Sequence, residues 1–411
     1  MSTLAPFRAL RPTPASAAHV AAVPYDVVNA QEAQALANGN PLSFLHVSRA
    51  EIDLPPNTDP YSDAVYHKAV ENFTALKSNA PLVVEETPSL YVYRLRMGGH
   101  VQTGIAGAFS IDEYDRDVIK KHERTRRDKE DDRTRHMITI GAQTGPVFLT
   151  YRALAPIDGT VERVTTHEPL FDFEAPDRVR HTLWSVGGAD RGAFVDAFRQ
   201  VPALYIADGH HRAASAARAR DQFRRDNTTR PSLGDNADFR TFLGVAFPHD
   251  QVQILSYNRI VKDLGGRSPA GLLEAAKKSF TVLDGPASPA RRGEISAHID
   301  GKWHTLRARS GSDGSDPIRS LDVSVLQDQL LAPVLGIRDV TTDKRIDFVG
   351  GARGTTELEA LVRSGAAAVA FSMFPVGVSD LMAVSDAGEI MPPKSTWFEP
   401  KLRDGLLSHL I

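Results

Sequence analysis

YIADGHHRAASAA, residues 205–217, joins an apolar run to an alanine-rich run across one Asp-Gly pair. The apolar residues before Asp208 predict the end of a buried strand, Asp208-Gly209 predicts a tight turn, and the alanines predict a helix that begins at once. This arrangement places backbone N–H groups and the positive end of a helix dipole at one point. His210, His211 and Arg212 add donors that reach phosphate oxygens. The segment therefore predicts a site for a di- or triphosphate.

A simpler interpretation of the same residues is a capped helix. Asp208 would be the N-cap, Gly209 would form the turn, and the basic residues would lie on a solvated face. Three basic side chains at a helix start oppose the helix dipole unless an anion is bound there. That conflict favours phosphate binding over the capped helix.

Composition narrows the class of protein. The chain has 411 residues, which predicts two or three domains, and its 42% hydrophobic and 24% charged residues are typical of a globular protein. A net charge of -3 gives no electrostatic support for a nucleic-acid or anionic-membrane partner. The absence of cysteine excludes disulfides, thiolate zinc sites and cysteine nucleophiles. No apolar run has the length of a signal peptide core or a membrane span, so we expect a soluble, cytoplasmic protein.

Residues 120–136 read KKHERTRRDKEDDRTRH and contain no apolar residue. A helix without a hydrophobic stripe is usually a solvated surface element. The alternative is that one face lines a polar cleft, because at helical spacing a set of basic side chains falls near one side. That set is His122, Arg126, Lys129, Arg133 and His136. Glu123, flanked by cations, would stay ionised and could accept a proton from a hydroxyl group.

The candidate metal ligands and the glycine-rich segment of this chain are weak motifs. The histidines at 122, 136, 210 and 211 permit a transition metal, but no two of them form an i, i+4 pair accompanied by a glutamate, which disfavours a dedicated zinc site. Magnesium held by Asp208 and phosphate oxygens is the favoured alternative. The segment 350–355 (GGARGT) lacks the Gly-Lys-Ser/Thr ending of a Walker loop and predicts only the start of a helix.

Two further segments carry secondary-structure predictions. Residues 161–173 alternate enough to predict one or two strands. Residues 221–238 are rich in arginine, asparagine and aspartate, and they predict a polar loop beside the site.

The motifs, in this order along the chain, resemble those of the free L-serine kinases of the ParB/sulfiredoxin-like superfamily. Asp208-Gly209-His210-His211-Arg212 resembles the element that holds nucleotide phosphates in that superfamily, and Lys120-Lys121-His122-Glu123 looks like the segment whose His-Glu pair supplies the proposed base. The similarity covers roughly residues 104–411. The sequence departs from those kinases in two places. Tyr257 stands where they have Trp, and the extension Glu130-Asp131-Asp132-Arg133 is additional. Both departures bear on the identity of the substrate more than on nucleotide binding.

The resemblance also implies where the substrate binds. Tyr257 falls where those kinases place an aromatic residue against the substrate. Pro393-Lys394-Ser395-Thr396 resembles their C-terminal loop, which closes over the amino acid. Lys394, Ser395 and Thr396 would then offer donors to the substrate carboxylate, and Tyr257 would form an aromatic wall.

For the fold, the resemblance implies a mixed α/β (α+β) protein with a ParB/sulfiredoxin-like nucleotide-binding core. The expected domains are an N-terminal extension (1–100), the phosphate-binding domain (101–265) and a C-terminal α/β domain that closes the substrate site (266–411).

For the function, the resemblance implies phosphoryl transfer from ADP or ATP to the hydroxyl of free L-serine, with Mg²⁺. Glu123 and His122 would act in proton transfer, Gly209 to Arg212 would hold the phosphates, and Asp208 would hold Mg²⁺ or fix the turn. The alternative is a nucleotide-binding regulatory or metabolite-sensing protein without turnover. The donor, the acceptor and the oligomeric state stay open.

Overall fold

The structure is a computed structural model that describes residues 1–79, 82–226, 238–309 and 316–411. It shows a mixed α/β fold, as predicted. The chain forms two compact units, residues 1–252 with 400–411 and residues 253–399. The domain boundaries at 100 and 265, and the ParB/sulfiredoxin-like core, stay predictions.

Most strands of the first unit join one large mixed sheet in the order β6-β11-β8-β12-β5-β4-β10-β9, with β1 paired to β5. These strands are β1 (Leu4–Ala5), β4 (Leu90–Met97), β5 (His100–Ser110), β6 (Ile119–Lys120), β8 (Val147–Tyr151), β9 (Phe171–Glu174), β10 (Val179–Val186), β11 (Leu204–Asp208) and β12 (Thr241–Pro248). A smaller sheet has the order β3-β2-β21-β7. It contains β2 (Ala9–Arg11), β3 (Val83–Val84), β7 (Ala142–Gln143) and β21 (Ser408–Leu410).

The helices of the first unit flank these sheets. They are α1 (Ala17–Val20), α2 (Ala30–Ala37), α3 (Leu45–Ser48), the 3-10 helix Ala50–Asp53, α4 (Asp63–Asn79), α5 (Ile111–Asp115), α6 (Arg127–Ile140), α7 (Ala155–Val164), α8 (Gly188–Phe198) and α9 (His210–Asp226). Helix α6 packs against both α4 and α9. The main core contains Phe109, Leu149, Phe198 and Ile206, all fully buried.

The second unit contains a six-stranded sheet of order β15-β17-β16-β19-β14-β18 and a two-stranded pair, β13-β20. Its strands are β13 (Gln253–Leu255), β14 (Tyr257–Val261), β15 (Phe280–Asp284), β16 (Glu294–Ile299), β17 (Lys302–Ala308), β18 (Ile346–Gly350), β19 (Val369–Met373) and β20 (Trp397–Glu399). Its helices are α10 (Pro269–Ala276), α11 (Asp322–Leu326) with a π-helical continuation Gln327–Leu331, the 3-10 helix Gly351–Arg353, α12 (Gly354–Arg363) and α13 (Val378–Asp386).

The helix predicted over 120–136 begins only at Arg127, so the predicted start was wrong. Ile119 and Lys120 instead form β6, which pairs in parallel with Leu204 and Tyr205 of β11. His122 therefore lies in the loop before α6, outside the predicted helical face, while Arg126 is the N-cap of α6 and Lys129, Arg133 and His136 lie within it at helical spacing. A non-local strand pairing, which no local pattern reports, overrides the helical spacing here.

The charged sequence of α6 is explained by ion pairs with neighbouring helices. Asp132 accepts a hydrogen bond from Tyr66 of α4 at 2.9 Å and pairs with Arg133 at 2.8 Å. Arg218 of α9 pairs with Glu130 at 3.2 Å and with Asp131. Asp132 is buried, so polar contacts fix the charged part of this helix, while Met137 near its C-terminal end joins the main core.

The other two predicted segments differ from the structure in part. Residues 161–164 belong to helix α7, which has a proline in its first turn, and only Phe171–Glu174 forms a strand. Helix α9 continues to Asp226, so residues 221–226 are helical and not the predicted loop. The rest of that predicted loop, residues 227–237, lies outside the described residues.

Candidate active site

The predicted strand, turn and helix are confirmed at residues 204–226. Strand β11 ends at Asp208, and α9 begins at His210. Gly209 between them has a φ of +95°, which strains any residue with a side chain. The buried alanines of α9, among them Ala213 and Ala216, pack the helix into the main core. The N-terminus of α9 is therefore held at the end of β11, the strand next to the short edge strand β6.

The loop 121–126 is held against this helix start by the two histidines. The His122 backbone N–H donates to His210 Nε2 at 3.4 Å, and the Arg126 backbone N–H donates to His211 Nε2 at 3.0 Å. A ring nitrogen that accepts a hydrogen bond carries no proton, so the proton of a neutral His210 lies on Nδ1. Burial lowers the pKa of His210 well below its usual range, and the neighbouring His122 adds to this effect. The two rings thus fix both ends of the loop.

Glu123 lies in this loop above His210. Its Oε2 is 3.9 Å from His210 Nδ1, and its side chain is 39% exposed while that of His210 is 4% exposed. A carboxylate is therefore held at the positive end of a helix dipole with one side open to solvent. This is the geometry that a proton acceptor for a bound hydroxyl group needs.

His122 lies beneath Glu123 and is buried. Its ring contacts that of His210 edge to face, with 4.5 Å between the ring centroids. Burial lowers the pKa of His122 to about 4, although the ring bonds the Ile206 carbonyl and Asp208 lies nearby. A neutral, buried His122 positions its neighbours; its predicted part in proton transfer stays a prediction.

Asp208 is paired with a residue that sequence reasoning missed. Lys401 donates from Nζ to Asp208 Oδ2 at 3.1 Å, and Arg212 Nη2 lies 3.8 Å from the same oxygen. Burial alone would raise the pKa of Asp208, but these two cations outweigh it and hold the pKa well below its usual range. Lys401 is 193 positions away along the chain, so no local pattern could have indicated it.

Two sets of residues are relevant to a metal ion. At Asp208, a divalent cation would have to share the carboxylate with Lys401 and Arg212, so the predicted Mg²⁺ site fits poorly there. His122, Glu123 and His210 offer ligand atoms within 4.8 Å of one another. His210 Nε2 already accepts a backbone hydrogen bond in that set. Mg²⁺ therefore stays a prediction.

Arg212 is buried and turned toward the protein interior. Its Nη1 donates to the Pro146 carbonyl, and its side chain is only 8% exposed. Burial opposes its charge, but Asp26, Asp208 and Asp404 together raise its pKa above the ordinary value. Arg212 thus carries a permanent positive charge close behind the helix start. Its direct contact with phosphate stays a prediction.

The predicted substrate residues all lie in the second unit. Lys394 Nζ is 5.7 Å from the ring centre of Tyr257, and Arg259 donates to the Lys394 carbonyl at 3.2 Å. Ser395 is buried and donates to the Pro392 carbonyl at 2.6 Å, while Thr396 directly precedes β20. The structure thus brings Tyr257 and Lys394 together. Substrate binding by these four residues stays a prediction.

The fold and this site define a mixed α/β protein with a carboxylate and two histidines gathered at a buried helix start. No helix among the described residues combines the length and the apolar character that crossing a membrane requires. The chain belongs to the family described as "Protein of unknown function (DUF1015)", whose model matches residues 4–324. A comparison with curated proteins finds no significant match.

Solved structures give remote similarities. A free serine kinase in complex with AMP is 14% identical, with 74% of this chain and 92% of that chain covered and a TM-score of 0.35. A conserved hypothetical protein from Pyrococcus furiosus is 14% identical, with coverages of 75% and 95% and a TM-score of 0.36. SbnI with C-terminal truncation from Staphylococcus aureus is 12% identical, with coverages of 73% and 85% and a TM-score of 0.39. At these identities and TM-scores, the similarities are too remote to assign an activity.

Proposed function

We propose that this protein is a small-molecule kinase that transfers a phosphoryl group from ADP or ATP to the hydroxyl of free L-serine. The observation that carries the proposal is the position of Glu123, held 3.9 Å from His210 at the N-terminus of α9. Phosphoryl transfer needs positioning and charge neutralisation more than covalent chemistry by the protein. The loop 121–126, the start of α9 and Lys401 would together supply both.

The phosphates would bind at the N-terminus of α9, where the positive end of the helix dipole favours an anion. Arg212 and Lys401 supply positive charge close to this point. When bound to the nucleotide, Mg²⁺ would neutralise further phosphate charge. His210 and His211 would act indirectly, by holding the loop 121–126 in place, because their ring nitrogens accept hydrogen bonds from its backbone N–H groups.

In the transfer step, the serine hydroxyl oxygen attacks the terminal phosphorus. The new O–P bond forms as the bond from phosphorus to the bridging oxygen breaks, and the bond electrons leave with AMP or ADP. The hydroxyl proton passes to the Glu123 carboxylate. The amino acid is proposed to bind an aromatic surface, a cation and two hydroxyl groups, which belong to Tyr257, Lys394, Ser395 and Thr396.

Substitution Glu123→Gln tests this proposal. We expect kcat to fall about 100-fold or more, because the amide cannot accept the proton, while the Kd for ADP stays within about threefold. Formation of O-phosphoserine is followed by phosphorus NMR, and ADP binding by calorimetry. Glu168→Gln, at an exposed glutamate outside the site, is the matched control.

Unchanged turnover in Glu123→Gln would exclude Glu123 as the base. Nucleotide binding by the wild-type protein without any phosphorylated product, across a panel of hydroxylated amino acids, would favour the nucleotide-binding sensor instead.

A further inference from the structure

A cavity of about 40 Å³ lies in the first unit, behind the start of α9. Arg212 lines it together with Tyr25, Ser48, Arg133, Gly145 and Asp404. A single water needs about 10–15 Å³, so the space holds about three waters, or one small molecule that displaces them. Its lining combines the N-terminal segment, the C-terminal segment and the helix that carries the proposed phosphate site.

Buried polar atoms in this lining lack partners. Arg212 Nε, Asp404 Oδ1 and Ser48 Oγ are buried and have no hydrogen-bond partner among the described residues. Asp404 is 2% exposed and Arg212 is 7% exposed. A buried polar group without a partner costs about 1–3 kcal/mol, so several around one cavity indicate that something polar fills it.

Gly145 keeps this space open. An added Cβ at this position would lie 2.7 Å from Asp404 Oδ1 and 3.3 Å from Arg212 Cδ. Any side chain here would therefore press against the carboxylate and the arginine stem. Gly145 therefore leaves space between the negatively charged Asp404 carboxylate and the positively charged Arg212 side chain.

The two charges are complementary to one kind of ligand. The guanidinium Nε of Arg212 suits a carboxylate, and the carboxylate of Asp404 with the hydroxyl of Ser48 suits an ammonium group. An α-amino acid carries both groups on one carbon. Arg133 also lines the cavity, and it is already occupied by Asp132 at 2.8 Å and by the ring of Tyr25 at 4.3 Å.

We propose that this cavity is a regulatory site for a small α-amino acid, such as glycine or L-serine. It differs from the proposed substrate site, to which Tyr257 and Lys394 belong. A ligand that bonds Arg212 would fix the side chain that also lies 3.8 Å from Asp208. Occupancy of the cavity is thereby linked to the geometry of the helix start. The site does not depend on phosphoryl transfer.

The test is calorimetric titration of the full chain at pH 8 with glycine, L-serine and L-alanine. Acetate and methylammonium, which carry only one of the two groups, are the reference probes. We expect glycine or L-serine to bind at least tenfold more tightly than either reference probe. Asp404→Asn, which preserves shape, is expected to weaken this binding tenfold or more, and Gly145→Ala is expected to abolish it. Circular dichroism checks that both variants are folded.

Several outcomes would overturn the inference. One is the absence of amino-acid binding to the folded wild-type protein, which would leave a water-filled cavity. Another is unchanged affinity in folded Asp404→Asn or Gly145→Ala. A third is amino-acid binding that is lost in Lys394→Met but kept in Asp404→Asn, which would place the ligand at the proposed substrate residues instead. Failure of the kinase proposal appears separately, as binding without O-phosphoserine formation.

Discussion

Asp404 is a buried carboxylate whose ionisation affects the stability of the first unit. Burial raises its pKa to about 7, with Asp26 adding to the effect and Arg212 and Arg133 opposing it. The unfolded value is about 3.9. A folded pKa above the unfolded one gives stability that is complete below about pH 4 and is lost as the pH rises through 7.

We therefore expect the stability difference between Asp404→Asn and the wild-type protein to change with pH. The asparagine variant does not ionise, so it should gain stability relative to the wild type as the pH rises from 5 to 8. Urea unfolding of both proteins at pH 5, 6.5 and 8 measures this difference. A difference that is constant over this range would show that Asp404 is already ionised at pH 5. Comparing the two proteins removes the contribution of the buried histidines, which they share.

At the residue scale, the sequence predicted the local structure around Asp208 but not the contacts made there. The Asp-Gly-His-His-Arg segment predicted the strand, the turn and the helix start because glycine and alanine preferences act locally. The acceptance of backbone hydrogen bonds by His210 and His211 depends on a loop more than 80 residues away. Lys401 and Asp404 gave no signal, since each reaches the site only through the tertiary fold.

At the scale of elements, the loop 121–126 depends on the two histidine rings. Substitution His211→Leu removes the acceptor of the Arg126 N–H, which costs about 1 kcal/mol locally. We expect faster amide exchange at Arg126 and a lower kcat, because Glu123 lies in the same loop. The Kd for ADP should change less than kcat.

His211→Gln is the matched control, because its amide oxygen preserves an acceptor of similar reach. We expect it to restore part of the amide protection and of kcat. Equal exchange at Arg126 in the wild type and in His211→Leu, measured by hydrogen exchange with mass spectrometry, would contradict a holding role for this ring.

Element boundaries were predictable where the signal was local and not where pairing was distant. The N-cap Asn29 of α2 forms a capping box with Glu32, an arrangement that depends only on residues three positions apart. The start of α6 was misplaced because β6 pairs with β11, more than 80 residues further along the chain. The lack of apolar residues in 120–136 indicated a solvated surface, whereas a hydrogen bond from Tyr66 of α4 and an ion pair with Arg218 of α9 hold this part of the helix against its neighbours.

At the scale of the whole chain, the last twelve residues return to the first unit after the second unit is complete. Strand β21 pairs with β2 and with β7, so this segment lies inside the smaller sheet. Asp404 and Ala22 exchange backbone hydrogen bonds at 2.9 and 3.2 Å. The segment also contributes Lys401 to Asp208. The first unit is therefore built from both ends of the chain, which no pattern within either end predicts.

Removal of residues 400–411 should consequently unfold the first unit. Leu402, Leu406 and Leu407 are each at most 3% exposed, and burial of such a side chain stabilises a fold by about 1.5–3 kcal/mol. Their combined loss is comparable to the whole stability of a typical domain, about 5–15 kcal/mol. We expect the truncated chain to lose the unfolding transition of the first unit in differential scanning calorimetry and to be cleaved by protease within residues 1–252.

A milder variant tests the same argument in a chain that still folds. Leu406→Ala should destabilise the first unit by about 2–5 kcal/mol, because the site is buried and a cavity remains. Leu283→Ala, at a leucine of the second unit that is 46% exposed, is the matched control and should cost well under 1 kcal/mol. If truncation and Leu406→Ala both left the transition of the first unit unchanged, the C-terminal segment would not be part of its core. Packing of this segment would then not explain how Lys401 and Asp404 are placed near the start of α9.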